Sequence, residues 1–121
     1  MSYMLLIVEP VGQRATRTEA EGRAAYDAMV AFGERLSAQG QLKAVESLAG
    51  LDGAVRVSRA SGQAQTLDGP FAEAKEMIGG FFLLQNVTHA EAVALAHECP
   101  AAQWCTVEVR ALARCFAERH A

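Results

Sequence analysis

The sequence has no apolar run long enough to cross a membrane, since the segment Met4–Val8 is far shorter than the ~20 residues that a spanning helix needs. No charged segment with a small-residue cleavage site surrounds it, so we expect no signal peptide. Cysteine is scarce: the three residues Cys99, Cys105 and Cys115 form no Cys-x-x-Cys pair. An odd number of cysteines without a secretion signal indicates reduced thiols in the cytoplasm.

A basic excess is also absent. The 11 Lys and Arg against 14 Asp and Glu give a formal net charge of −3, which argues against direct binding of nucleic acid. The loose basic cluster Arg14, Arg17 and Arg23 is typical of a solvated helix start. There is no Gly-rich phosphate loop or dinucleotide fingerprint, and the histidines and cysteines lack the spacing of metal ligands. We therefore predict neither a metal nor another cofactor.

The composition is that of a packed globular protein, with 51% hydrophobic and 21% charged residues. A chain of 121 residues is expected to form one domain, residues 1–121. In the first half, periodicity predicts an opening strand over 3–8, a helix over 19–39 and three strands over 42–48, 54–59 and 63–67. A Thr18–Glu21 capping box begins the helix and Gly40 ends it. The face of this helix that is apolar or made of small residues consists of Tyr26, Met29, Val30, Gly33 and Leu36.

The second half opens on the turn Asp68-Gly69-Pro70-Phe71 and one short helical turn. A strand over 80–87 follows, which Gly79-Gly80 opens. A second capping box, Thr88 to Glu91, begins a helix that Pro100 stops. Its buried stripe is predicted to contain Ala92, Leu95, Ala96 and Cys99. The last strand is predicted over 106–110, with a short helix reaching Ala121.

This order of elements, β-α-β-β-(β)-β-α-β, predicts an α+β fold of the ferredoxin-like type, in which an antiparallel sheet carries two helices on one face. The strands at Met4–Val8 and Gly80–Leu84 are apolar on both sides, which indicates that both faces of the sheet are buried. Two helices cover one face only. We therefore predict a homodimer in which a second copy covers the other face.

The segment Asp68–Gln85 closely resembles the signature of the YCII-related family, in its DGPF-domain branch. The matching residues are Asp68-Gly69-Pro70-Phe71, Ala72-Glu73, Lys75-Glu76, Gly79-Gly80 and Phe81-Phe82-Leu83-Leu84. The likeness covers residues 3–110, which leaves a C-terminal tail at 111–121. It implies a dimeric α/β barrel built from ferredoxin-like protomers.

The resemblance also bears on function. Members of the YCII-like branch are thought to use a His on helix one and an Asp before a Pro after helix two. This chain has no His in Tyr26–Met29, and Cys99 precedes Pro100, so that dyad is not carried over. Genes of the DGPF branch often lie beside those of extracytoplasmic-function sigma factors. The resemblance thus implies a regulatory context with a sigma factor as candidate partner.

Asp68 is the candidate catalytic residue, and two interpretations stay open. Its carboxylate either caps the turn by accepting backbone N–H bonds near Phe71, or lines a cleft as general base or ligand anchor. The candidate ligand-binding residues are Glu46, Arg56, Pro70 and Phe71. Arg56 and Glu46 are expected to border one cleft, where an arginine can hold a carboxylate or phenolate.

Two functions follow from these residues. In the first, the chain binds a small ligand or a partner protein in or near the cleft at Asp68 and catalyses nothing. In the alternative, it is a cofactor-free enzyme that acts on a small organic substrate with Asp68 as general base. The position of the Asp68 side chain, in a cavity or at its own turn, is the observation that separates them.

Overall fold

A computed structural model of the chain describes residues 1–116. The strands are β1 Tyr3–Pro10, β2 Leu42–Ser47, β3 Val55–Ala60, β4 Gln63–Asp68, β5 Glu76–Leu84 and β6 Thr106–Ala111. The helices are α1 Glu19–Ala38 and α2 His89–Glu98, and short 3₁₀ turns lie at Gln13–Thr16, Leu51–Gly53 and Pro100–Gln103. Within residues 1–116, neither helix combines the length and apolar character needed to cross a membrane.

Four strands form one antiparallel sheet in the order β2-β5-β1-β6, and β3 pairs with β4 in a separate hairpin. Residues of both helices and of one sheet face share a single hydrophobic core. The largest fully buried side chains of this core are Phe82, Leu5, Leu36, Leu84 and Cys99. The predicted α+β class is confirmed, and the topology is compatible with a ferredoxin-like fold.

The two faces of the sheet differ in burial. Along β1, Tyr3, Leu5 and Ile7 are buried under the helices. The residues that alternate with them, Met4, Leu6 and Val8, are only half-buried on the opposite face. This alternation follows from the period of two in a strand. The second face therefore keeps apolar surface in the single chain, and its burial by a second copy stays a prediction.

Both predicted capping boxes are present. The side chain of Thr18 accepts a hydrogen bond from the Glu21 N–H and the Glu21 carboxylate accepts one from the Thr18 N–H, and α2 begins in the same way. Gly40 ends α1 with a φ of 72°, in the left-handed region that favours glycine. All four residues of the predicted α2 stripe are buried.

The apolar face predicted for α1 is only partly buried. Phe32, Gly33 and Leu36 lie in the core, but Tyr26 and Val30 are 59% and 41% exposed. The N-terminal half of α1 therefore stands away from the sheet. A cavity occupies the space between them.

The segment after the Asp68 turn differs from its prediction. Residues 69–75 contain one hydrogen-bonded turn, from the Ala74 N–H to the Phe71 carbonyl, and no helix. β5 begins at Glu76 and ends at Leu84, so Gly79 and Gly80 lie within the strand and not at its start. β5 extends back to Glu76 because this residue pairs with Pro10 at the end of β1.

The C-terminal segment also departs from expectation. Residues 112–116 are not helical. The remainder of the helix predicted to reach Ala121 lies outside the described residues.

Candidate functional site

A cavity of about 750 Å³ lies between α1 and the strands β1, β2 and β5. The sheet contributes apolar side chains and two glycines to it, the loop before α1 contributes two arginines, and the segment after α2 contributes Trp104. Its lining includes Glu9, Arg14, Arg17, Gly22, Tyr26, Met29, Gly33, Val45, Glu46, Gly79, Gly80, Phe82 and Trp104. Volumes of this size are typical of small-molecule sites.

An ion pair forms the inner end of the cavity. Glu9 is the one charged residue among those buried in the described part of the chain, at 8% exposure. The Arg14 Nε donates to Glu9 Oε1 at 2.6 Å and the Arg14 Nη2 lies 3.3 Å from Glu9 Oε2. Arg14 also donates to the carbonyls of Leu48, at 2.8 Å, and Gly79, at 3.3 Å. The guanidinium thereby compensates the buried carboxylate and connects β1 to the end of β2 and to Gly79 within β5.

The two glycines of β5 make room for this arrangement. A Cβ on Gly79 would overlap Glu9 Oε2 and lie 2.9 Å from the Arg14 Nη2. A Cβ on Gly80 would lie 2.8 Å from the Glu46 carbonyl oxygen. A bulge in the pairing of β1 with β5 falls at this point, opposite Ile7 and Val8. The glycines are thus required by the close approach of side chain and backbone.

A second arginine lies at another side of the cavity. The Arg17 guanidinium stacks over the Trp104 ring at 5.5 Å from its centroid. Gln13 supports both residues, because its Nε2 donates to the Trp104 carbonyl at 2.6 Å and its Oε1 accepts from the Arg17 Nη2 at 3.4 Å. Among the described residues, no carboxylate forms an ion pair with Arg17.

The remaining wall is largely apolar. Phe82 of β5 packs edge-on against Phe32 of α1, with ring centroids 5.2 Å apart. Gly33 lies over the Phe82 ring, where a Cβ would be at 3.5 Å. Met29 and Val45 complete this side from α1 and β2. The cavity therefore combines an apolar wall with the Glu9–Arg14 ion pair, the cation of Arg17 and two further acidic residues, Glu34 and Glu46.

The thiols of Cys99, which is buried, and Cys105, which is half-buried, are unsuited to nucleophilic chemistry. Cys99 is 1% exposed, and its Sγ is 3.9 Å from the Met29 Sδ. Burial raises the pKa of Cys99. Burial, and then the Glu9 charge, raises the pKa of Cys105 to about 11. Both thiols are protonated at neutral pH, whereas a nucleophilic cysteine reacts as the thiolate.

Asp68 lies outside this cavity. It is the last residue of β4, it is exposed and its backbone pairs with Val55 across the hairpin. Its carboxylate accepts no hydrogen bond from the rest of residues 1–116, including the N–H groups near Phe71, so the predicted cap is not formed. What holds the turn is the Gly69 N–H, which donates to the Ala54 carbonyl at 2.7 Å. A Cβ on Gly69 would overlap the Leu51 carbonyl oxygen.

The other predicted site residues divide into two places. Arg56 lies over the ring of Phe71 at 3.8 Å, Phe71 is buried and Pro70 is exposed. Glu46 of β2 borders the cavity, with Arg56 and Phe71 outside it. The structure therefore brings Arg56 and Phe71 together but does not place Arg56 and Glu46 on one cleft.

Sequence reasoning missed Glu9, Arg14, Arg17 and Trp104. The signal for Glu9 is present, because it continues the period of two set by the buried residues of β1 and so predicts a carboxylate on the helix side of the sheet. A buried carboxylate requires a cation. Arg14, the first arginine after β1, supplies it, although the arginine cluster was interpreted as a solvated helix start.

No curated protein matches the sequence significantly. The model of the YCII-related domain matches residues 1–115. The chain therefore belongs to the YCII-related family.

Proposed function

We propose that this protein binds a small organic ligand in the cavity between α1 and the sheet. The observation that carries the proposal is the combination of open volume with a built polar end, in which glycine at position 79 leaves space for the Glu9–Arg14 pair. A buried ion pair is costly unless its hydrogen bonds are satisfied, and here they are. The apolar wall around Phe82 provides the surface that a ligand would bury.

Binding has more support than catalysis. Arg14 engages both oxygens of Glu9, which leaves that carboxylate poorly placed to accept a proton from a substrate. The thiols of Cys99 and Cys105 are held protonated. The alternative, a cofactor-free enzyme with Asp68 as general base, has less support because the Asp68 side chain lies on the hairpin.

The assembly and context remain part of this proposal. A homodimer, arranged as a dimeric α/β barrel, would cover the half-buried sheet face of Met4, Leu6 and Val8. Membership of the DGPF branch is supported by Asp68-Gly69-Pro70-Phe71. That branch adds a sigma factor as a further candidate partner, for which ligand binding would be the regulatory signal. The cytoplasmic location is proposed separately, from the odd number of cysteines.

A thermal-shift screen tests the binding proposal. Phenols, carboxylic acids and sugars are screened against the wild type and against Val45→Trp, which fills the cavity from the edge strand β2. The matched control is Val57→Trp on the hairpin, where the native side chain is 73% exposed. We expect hits that the control retains and Val45→Trp loses. Hits that survive Val45→Trp, or no hit at all, would contradict binding in this cavity.

A further inference from the structure

We propose that the ligand is an organic carboxylate with a flat apolar body, and that Arg17 is the residue that binds its acid group. This inference rests on the proposed binding function and adds to it the chemical class of the ligand. Three features carry it: the unequal hydrogen bonding of the two arginines, the cation–π contact of Arg17 with Trp104 and the apolar wall around Phe82.

The two arginines that border the cavity are not equivalent. Arg14 donates to both oxygens of Glu9 and to two backbone carbonyls, so it has little capacity left for a ligand. Its charge is also cancelled by Glu9. Arg17 shares a single, long hydrogen bond with Gln13 and pairs with no carboxylate of the described chain. Glu34 and Glu46 also line the cavity, but among the described residues neither forms an ion pair with Arg17. Arg17 is therefore the arginine of the cavity whose donors are left for a ligand.

The contact with Trp104 positions Arg17 without using its N–H donors. The guanidinium carbon lies 5.5 Å from the centre of the indole ring, within the range of a cation–π interaction, in which the ring attracts the charge and accepts no conventional hydrogen bond. Gln13 fixes the Trp104 backbone and limits the movement of Arg17. A planar donor set of this kind matches the two oxygens of a carboxylate, and a neutral amide would replace only part of that interaction.

The body of the ligand is inferred from the walls. The ring of Phe82 borders the cavity from the sheet and Met29 borders it from α1, and both side chains are apolar. Gly22 of α1 also borders the cavity, and a Cβ on Gly22 would meet no atom within 4 Å, so the space beside the helix is open at this position. An aromatic or other flat ring system in the cavity would bury apolar surface against the ring of Phe82.

Calorimetric titration of the purified full-length protein tests this class. The probes are a naphthalene carboxylate and the matching naphthalene carboxamide, which have the same ring but differ in charge. The variants are Arg17→Gln and, as a control for the loss of one positive charge, Arg23→Gln. Arg23 is exposed and pairs with Glu19 within α1, at 3.0 Å, so it does not contribute to the cavity.

We expect the wild type to bind the carboxylate at least tenfold more tightly than the carboxamide (about 1.4 kcal/mol). Arg17→Gln should remove that preference, whereas Arg23→Gln should keep it. Equal affinity for the two probes, or a preference that survives Arg17→Gln, overturns the inference.

The same titrations separate this inference from the binding proposal. If both probes bind with equal affinity and Val45→Trp abolishes both, the cavity binds ligands but the acid class is wrong. If Val45→Trp leaves the binding of both probes unchanged, or neither probe binds the wild type, both the inference and the binding proposal fail.

Discussion

Replacement of Gly79 by Ala tests whether the ion pair at the end of the cavity organises this part of the fold. The added Cβ would overlap Glu9 Oε2, lie 2.7 Å from Glu9 Cδ and approach the Arg14 Nη2 to 2.9 Å. Either the carboxylate or the strand must move. Because the Glu9 side chain is 10% exposed, it has little room for another position.

The expected loss in the free energy of unfolding of Gly79→Ala is set by two limits. Overpacking a filled interior costs about 1–3 kcal/mol, and separation of a buried ion pair costs about 3–5 kcal/mol. Since the Arg14 side chain is 39% exposed, water can replace part of its interaction with Glu9 when the pair separates. The smaller of the two costs, that of overpacking, therefore applies. We expect Gly79→Ala to lower the free energy of unfolding by about 2 kcal/mol, which corresponds to a fall in Tm of roughly 8 °C.

Urea denaturation of Gly79→Ala and of a matched control, Gly22→Ala, provides the measurement. A Cβ on Gly22 meets no atom within 4 Å, so alanine there should stabilise α1 by about 0.5–1 kcal/mol. The double variant Glu9→Ala, Gly79→Ala should be less destabilised than the sum of the single variants, because the overlap is gone. A Gly79→Ala protein as stable as the wild type would refute this account of the site.

Other predictions concern the hairpin, the buried thiol and the open sheet face. Asp68→Asn should change the free energy of unfolding by no more than about 0.5 kcal/mol and leave ligand affinity unchanged; a large loss of affinity would restore Asp68 as a site residue. The pKa of Cys105 is raised by burial from 9.0 to about 11, so the folded form keeps a proton that the unfolded chain releases. Stability should fall as pH rises from 9 to 11, and Cys105→Ala should reduce that fall in urea titrations at successive pH values; an unchanged slope would contradict the assignment. Light scattering at micromolar concentration should give a dimer that Leu6→Glu dissociates, since obligate interfaces bury upward of ~2,000 Å²; a folded wild-type monomer would disprove the predicted assembly.

Local sequence signals predicted most of the fold. The capping boxes placed the starts of both helices, Gly40 placed the end of α1, and apolar alternation located the strands. These features depend on neighbours within a few residues, so they can be recognised in the sequence without knowledge of tertiary contacts. The start of β5 was misplaced because Glu76 joins the sheet through pairing with Pro10, a contact between residues distant in sequence.

The candidate site was harder to predict for the same reason. The Asp68 turn is conspicuous as a motif, yet its side chain is exposed on a hairpin that is separate from the main sheet. The cavity residues come from six segments, namely β1, the loop before α1, α1, β2, β5 and the segment after α2, and Arg17 meets Trp104 only after the chain has folded. The half-exposed face of α1, marked by Tyr26 and Val30, was also unpredictable, because helical periodicity gives a face but not how much of it the sheet covers.

An NMR titration of the isotopically labelled protein with a hit from the ligand screen tests the central claim most directly. If the ligand occupies the cavity between α1 and the sheet, the largest chemical-shift changes should fall on Met29, Val45, Phe82 and the Trp104 indole. The hairpin residues 55–68 should be unaffected. Changes that cluster on the hairpin around Asp68, with the cavity residues unperturbed, would contradict the proposed site.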